Sequence, residues 1–388
     1  MKICFSSLAK IHCVMAIFLA QFFGFLVVSS ANSQDCTTEA RCHVQLDTGI
    51  DMAYTDAGPK DGKPIVFVHG LTDNLYMWSL VTEKITALDP AFRLVSIDLR
   101  GHGESSMPSG KDCPNAPQTC FTAKLYAEDL HDFLGKMGIE GAFVVGQSMG
   151  SIVAQQIALD YPQDVAGIVL VATSGNVGGN PVLKWLTDDI LLGSWKPALA
   201  KKGMDTPEAL WSALPADADP QALQWMKDNW VGDRFAPADF IDKMSELTAK
   251  IRVGTFFGAT KGLDQYNNLT RLENLKVPAF LLWGVQDAIF EFDRDQVPII
   301  AALTKAASDG HTKAVWKQYG VSPAPASGGP TDVGHSVAWE LPEQTALDIV
   351  SFIRTGQPTP DLYRIAEREG GKFEIVTEKG KAHIKRFD

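Results

Sequence analysis

A single serine between two glycines, Gly146-Gln147-Ser148-Met149-Gly150, joins the apolar run AFVVG (142–146) to a helix-like run that begins at Met149. In a strand–turn–helix setting this is the G-x-S-x-G pattern, whose tight turn admits only small flanking residues and pushes the serine out of the sheet. A serine hydroxyl attacks a carbonyl only with a base to take its proton and an acid to orient that base. Asp287 lies three residues past the run AFLLWG, and His335 sits in Gly334-His335-Ser336, after KAVWKQY and before the last amphipathic stretch. Each lies in the segment that follows an apolar run, on the side where a parallel sheet builds its ligand sites. The rivals fit less well. His311 begins its strand, His131 falls on a helix face and His383 lies in the tail, while Glu291, Asp293 and Asp295 belong to the following helix. An oxyanion also needs donors. The backbone N–H of Met149 is one. The N–H of Leu71, in His69-Gly70-Leu71 at the end of another apolar run, is the second, with His69 shaping that turn rather than acting as base.

The elements that must hold these groups alternate in type. Residues 43–58 read as two short strands around Asp47-Thr48-Gly49. PIVFV, FRLVSID, AFVVG, VAGIVLVAT, VPAFLLWG and KAVWKQY read as buried strands, with helical spacing over 76–88, 122–137, 149–159, 293–307 and 339–352. Strands alternating with helices predict a doubly wound, mostly parallel sheet. About a hundred residues of different texture interrupt it, with short helices rich in Trp, Leu and Met. We expect a helical cap at 175–270 between core segments 34–174 and 271–357. Trp185, Trp195 and Trp225 are candidates to line a pocket under it, although ordinary packing explains any one of them as well. Residues 358–388 form an extension in which KFEIVTEKGKAHIKRF reads as a two-strand hairpin turning at Lys379-Gly380.

Composition narrows the classes. The chain has 388 residues and a net charge of −11, with no long basic run, so nucleic-acid binding is not expected. Lys2 and Lys10 precede an apolar stretch from Ile11 to Val28, and small residues follow. This is the plan of a secretory signal over residues 1–33, cleaved after Ala31 or Ser33, with retention of 11–28 as a membrane anchor the alternative. After cleavage no stable membrane association is expected. Four cysteines would remain, and their spacing favours the local pairs Cys36–Cys42 and Cys113–Cys120 in an oxidising compartment.

HGLTDN (69–74), DLRGHGES (98–105), GQSMG (146–150), WGVQD (283–287) and GH (334–335) stand together in an order that resembles the α/β-hydrolase superfamily, in its branch with a helical cap. The resemblance covers residues 45–355. It implies an eight-stranded-type, mostly parallel sheet flanked by helices. It assigns Asp98, Arg100, His102 and Ser105 a structural role beside the site. It implies a serine hydrolase of small or medium hydrophobic esters, with Ser148, Asp287 and His335 as triad and no metal or organic cofactor, and the N-terminal segment adds export. Lactonases, C–C bond hydrolases, amidases, perhydrolases and low-turnover ligand binders share the frame. A serine at 148 argues against haloalkane dehalogenases and epoxide hydrolases, which use aspartate there. Oligomeric state is not legible.

Overall fold

The hairpin of β1 (Cys42–Gln45) and β2 (Asp51–Ala57) leads into β3 (Lys63–Val68), β4 (Phe92–Ile97), β5 (Ala142–Gln147), β6 (Val165–Val171), β7 (Ala279–Gly284) and β8 (Ala314–Tyr319). This computed structural model describes residues 36–108, 119–230, 236–320 and 332–360, and the backbone of three further strands, β9 (Leu362–Glu367), β10 (Phe373–Glu378) and β11 (Ile384–Phe387). The sheet order is β1-β2-β4-β3-β5-β6-β7-β8-β11. Strands β3 to β8 pair in parallel, and β2 joins β4 antiparallel. The eight-stranded, mostly parallel sheet is therefore present, with β11 added at its far edge.

The side-chain period of two divides the core into two layers. Val66, Val68, Val144, Ile168, Leu170 and Leu281 face one layer. Ile65, Phe67, Val145, Val169, Phe280 and Leu282 face the other. Helix α1 (Ser79–Leu88) and the helix Pro342–Thr355 pack on the second layer, and α2 (Ala123–Lys136), α3 (Met149–Asp160) and the helix Val297–Ser308 on the first. Strands covered on both faces carry continuous apolar runs, which is why they were legible. Thr122 caps α2 by accepting from the Leu125 N–H at 3.3 Å, and Gly356, at φ 74°, ends Pro342–Thr355.

Between β6 and β7 runs a helical insert. It leaves and returns through a bridge between Asn176 and Asn267. A helical stretch from Pro181 to Ala200 has a π-helical middle, Leu186–Trp195, and the helices Ala238–Thr248 and Val253–Asp264 follow after shorter turns.

The hairpin expected at Lys379-Gly380 is corrected. Strand β10 pairs backward with β9, and β11 pairs antiparallel with β8. The parallel sheet has a free edge at β8, whose unpaired backbone groups take up the last strand. The Cys36 and Cys42 sulfurs meet at bonding distance, with Cα atoms 5.1 Å apart. Cys113, of the other expected pair, lies outside the described residues, as do the N-terminal segment 1–33 and His383. Among the described residues no helix is long and apolar enough to cross a membrane.

Candidate active site

Ser148 stands between β5 and α3 at φ 53°, ψ −122°, one of two non-glycine residues with positive φ among those described. The turn explains both glycines. A Cβ on Gly146 would lie 2.1 Å from the Gly150 carbonyl oxygen, and one on Gly150 would lie 2.1 Å from the Val68 carbonyl oxygen. The serine is held by its backbone. Its N–H donates to the Val171 carbonyl at 3.0 Å, and its carbonyl accepts from the Ser151 hydroxyl at 2.6 Å. It precedes the first turn of α3, whose free N–H groups favour developing negative charge.

Asp287 is buried beyond β7 and accepts from the Ile289 and Phe290 N–H groups, each at 2.9 Å. His335 Nδ1 lies 2.9 Å from each Asp287 carboxylate oxygen. An Nδ1–H donated to a carboxylate leaves Nε2 as the basic nitrogen. Phe290 sets its ring edge-to-face with the imidazole at 5.6 Å. The two loops are drawn together by the Gln286 N–H donating to the Val333 carbonyl at 2.8 Å. The turn of His335 also reaches the turn of Ser148, through the Ala338 N–H donating to Gln147 Oε1 at 3.3 Å.

Gly70 abuts Ser148: a Cβ there would lie 3.4 Å from Ser148 Cβ and 2.5 Å from Asp73 Oδ2. The Leu71 N–H donates to no other group among the described residues. Its peptide is held from behind. His69 Nδ1 donates to the Gly70 carbonyl at 2.7 Å, and its Nε2 accepts from the Leu99 N–H at 3.0 Å. Complete burial keeps this imidazole neutral, pulling its pKa well below the ordinary range. Loading the carbonyl of a peptide polarises its N–H, here the Leu71 donor.

The DLRGHGES segment braces this turn. Asp98 accepts from the Leu75 N–H at 2.7 Å, the Glu104 N–H at 2.9 Å and Arg41 at 2.5 Å. Burial pushes its pKa up to about 6, against the pull of the Arg41 guanidinium. His102 lies 2.9 Å from the Leu71 carbonyl through Nε2 and 3.0 Å from the Arg100 carbonyl through Nδ1. Burial pulls its pKa down to about 4, so at neutral pH it donates to only one of them. Arg100 forks onto Asp129 with two bonds of 2.6 Å. Sequence reading missed Arg41 and Asp129. The signal for Asp129 was a carboxylate on the apolar face that Tyr126, Leu130 and Phe133 form.

The rivals lie elsewhere. His131 pairs with Asp164 and stacks on Tyr161, His311 bonds the Glu273 carbonyl, and Asp295 pairs with Arg294. Trp195 is buried edge-on to Phe256, and Trp185 is half exposed beside Trp225. A cavity of about 480 Å³ adjoins Asp287, lined also by Trp283, Glu291, Phe292 and Gln318.

A family model described as the alpha/beta hydrolase fold matches residues 63–305, more than half of the chain. Over 270 residues the chain is 27% identical to the bifunctional esterase/perhydrolase DCH of Acinetobacter calcoaceticus, covering 65% of this chain and 84% of that protein. Over 272 residues it is 29% identical to the dihydrolipoyllysine-residue acetyltransferase component of the acetoin cleaving system of Cupriavidus necator. That match covers 70% of this chain but 62% of the relative, so the chain spans less than two thirds of that protein's length. The enol-lactonase of Burkholderia xenovorans LB400 superposes with a TM-score of 0.55 at 18% identity, over 81% of this chain and all of that one, a likeness of fold.

Proposed function

The chain belongs to the alpha/beta hydrolase family, and from that premise we propose that it is an exported serine hydrolase of carboxylic esters, acting through Ser148, His335 and Asp287. Ser148 Oγ attacks the ester carbonyl while His335 Nε2 takes its proton. The Leu71 and Met149 N–H groups hold the oxyanion, and Asp287 stabilises the imidazolium. His335 returns the proton to the departing alkoxide. Water, activated by the same imidazole, then releases the acid from the acyl-serine. No cofactor enters these steps.

The observation that carries the reading is the Asp287–His335 pair at the carboxyl ends of β7 and β8, tied through Gln147 and Ala338 to the strained turn of Ser148. The esterase/perhydrolase relative supports an ester substrate, and the lactonase fold-neighbour extends the same chemistry to cyclic esters. A fluorophosphonate probe and a p-nitrophenyl ester panel test it. Labelling and hydrolysis are expected in the wild type and lost in Ser148→Ala; an active S148A enzyme refutes the assignment. Export rests on the apolar segment 11–28 with the small residues after it, and on the Cys36–Cys42 pair. An intact mass that begins after Ala31 or Ser33 is the expected result, and a retained N-terminus returns the anchor reading.

A further inference from the structure

Two buried side chains of the helical insert reach across to the loops that carry the candidate site, and we propose that both are positioning residues. Asn180 seats the acid turn and Thr248 seats the oxyanion turn. This rests on the triad reading above and adds that the insert is part of the catalytic geometry.

Asn180 is 2% exposed. Its Oδ1 accepts from the Val182 and Leu183 N–H groups at 3.0 and 3.1 Å, which starts the helical stretch Pro181–Ala200. Two donors at Oδ1 define the amide orientation and leave Nδ2 facing the Ile289 carbonyl at 2.8 Å. The Ile289 N–H donates in turn to Asp287. One amide therefore connects the first helix of the insert to the residue that holds the acid. Arg294 donates to the same Ile289 carbonyl, from a side chain 31% exposed.

Thr248 ends the helix Ala238–Thr248 and is fully buried. Its hydroxyl lies 2.6 Å from the Thr72 carbonyl and 2.9 Å from its own helix at Met244. One proton serves one acceptor at a time, and the shorter contact crosses to the residue after Leu71. The same helix is wedged in place by Phe240. Its ring stacks on Tyr76 at 5.4 Å and meets Trp339 edge-on at 5.5 Å. Tyr76 follows the oxyanion turn and Trp339 follows His335. An insert that only covered the site would need apolar packing alone. Buried donors aimed at single backbone carbonyls of two separate loops set the place of those loops instead.

The test compares Asn180→Ser, Thr248→Val and Thr248→Ser on a p-nitrophenyl ester, with thermal unfolding of each. Serine keeps a helix-capping oxygen but is too short to reach Ile289. Valine removes the hydroxyl and keeps the shape. We expect kcat to fall about tenfold in N180S and T248V, with KM within about twofold of wild type, and T248S to restore turnover. N180S should also move the acid limb of kcat/KM to lower pH, because a displaced Asp287 stabilises the imidazolium less; T248V should leave that limb in place. Unchanged kcat in both variants overturns the proposal, and so does a rise in KM alone. If N180S does not fold, the T248V and T248S pair decides. Loss of activity in S148A together with unchanged N180S and T248V overturns only this proposal, whereas an active S148A overturns the triad itself.

Discussion

Asp287 and His335, 48 residues apart in sequence, place Nδ1 within 2.9 Å of both carboxylate oxygens. The carboxylate is fully buried and the imidazole keeps a small exposed edge. This asymmetry suits an orienting acid that stays fixed and a base that meets substrate.

Asp287→Asn keeps the shape but offers Nδ1 an amide in place of a carboxylate, so the ring can take the wrong tautomer. Turnover should fall by about three to four orders of magnitude, as for the equivalent change in well-studied serine proteases. Steady-state hydrolysis of an activated ester measures it, and a loss below about tenfold would contradict the pairing's role.

Gly150→Ala drives a Cβ to 2.1 Å from the Val68 carbonyl oxygen and 2.7 Å from that of His69. Both obstacles are backbone and cannot rotate away. Urea unfolding should register a loss of about 3 kcal/mol, the upper end for overpacking. Retention of full stability would mean that the turn is looser than its geometry.

His102 gives the fold an acid-sensitive element. Its folded pKa, about 4, lies below the ordinary value of 6.5, so its contribution is complete above pH 6.5 and is lost as pH falls through about 4. Asp98 runs the opposite way: with a pKa raised from 3.8 to about 6, it favours the folded state as pH drops through that window. The difference between wild type and His102→Gln removes the Asp98 contribution. Unfolding free energies taken from pH 7 to pH 4 should fall more steeply for wild type than for the variant.

Lys317 and Asp348 are both fully buried, with Nζ 2.8 Å from Oδ2, and Tyr319 and Thr359 also bond the carboxylate. Lys317→Met strands a buried charge and should cost about 3–5 kcal/mol. Adding Asp348→Leu should recover part of that loss, because the double change leaves no unpaired ion. Chemical denaturation of the two proteins decides.

Much of this architecture could be read along the chain. The runs PIVFV, AFVVG and AFLLWG announced buried strands because parallel strands covered on both faces lose the polar alternation. The glycines flanking Ser148 announced a tight turn because any Cβ there collides with backbone. Pairing over distance was less legible. The run 373–378 has strand-like neighbours on both sides, and only the fold pairs it with β9 and sends β11 to β8. Trp195 reads first as packing and second as pocket lining, because helical spacing tells which face a residue occupies but not what the face meets.

By itself the sequence determined the order of the elements and the residue types that stand past their ends, Ser148, Asp287 and His335, because period, turn residues and side-chain type are local properties. Only the tertiary structure decided which side chains from elsewhere hold those groups in place. Arg41 on Asp98, Asp129 on Arg100, Asn180 on Ile289 and Thr248 on Thr72 are contacts between segments 29 to 176 residues apart. Nothing in the local pattern distinguishes such donors from solvated ones. Their partners appear only when burial removes water and leaves each polar group to be satisfied by whatever the fold has brought beside it.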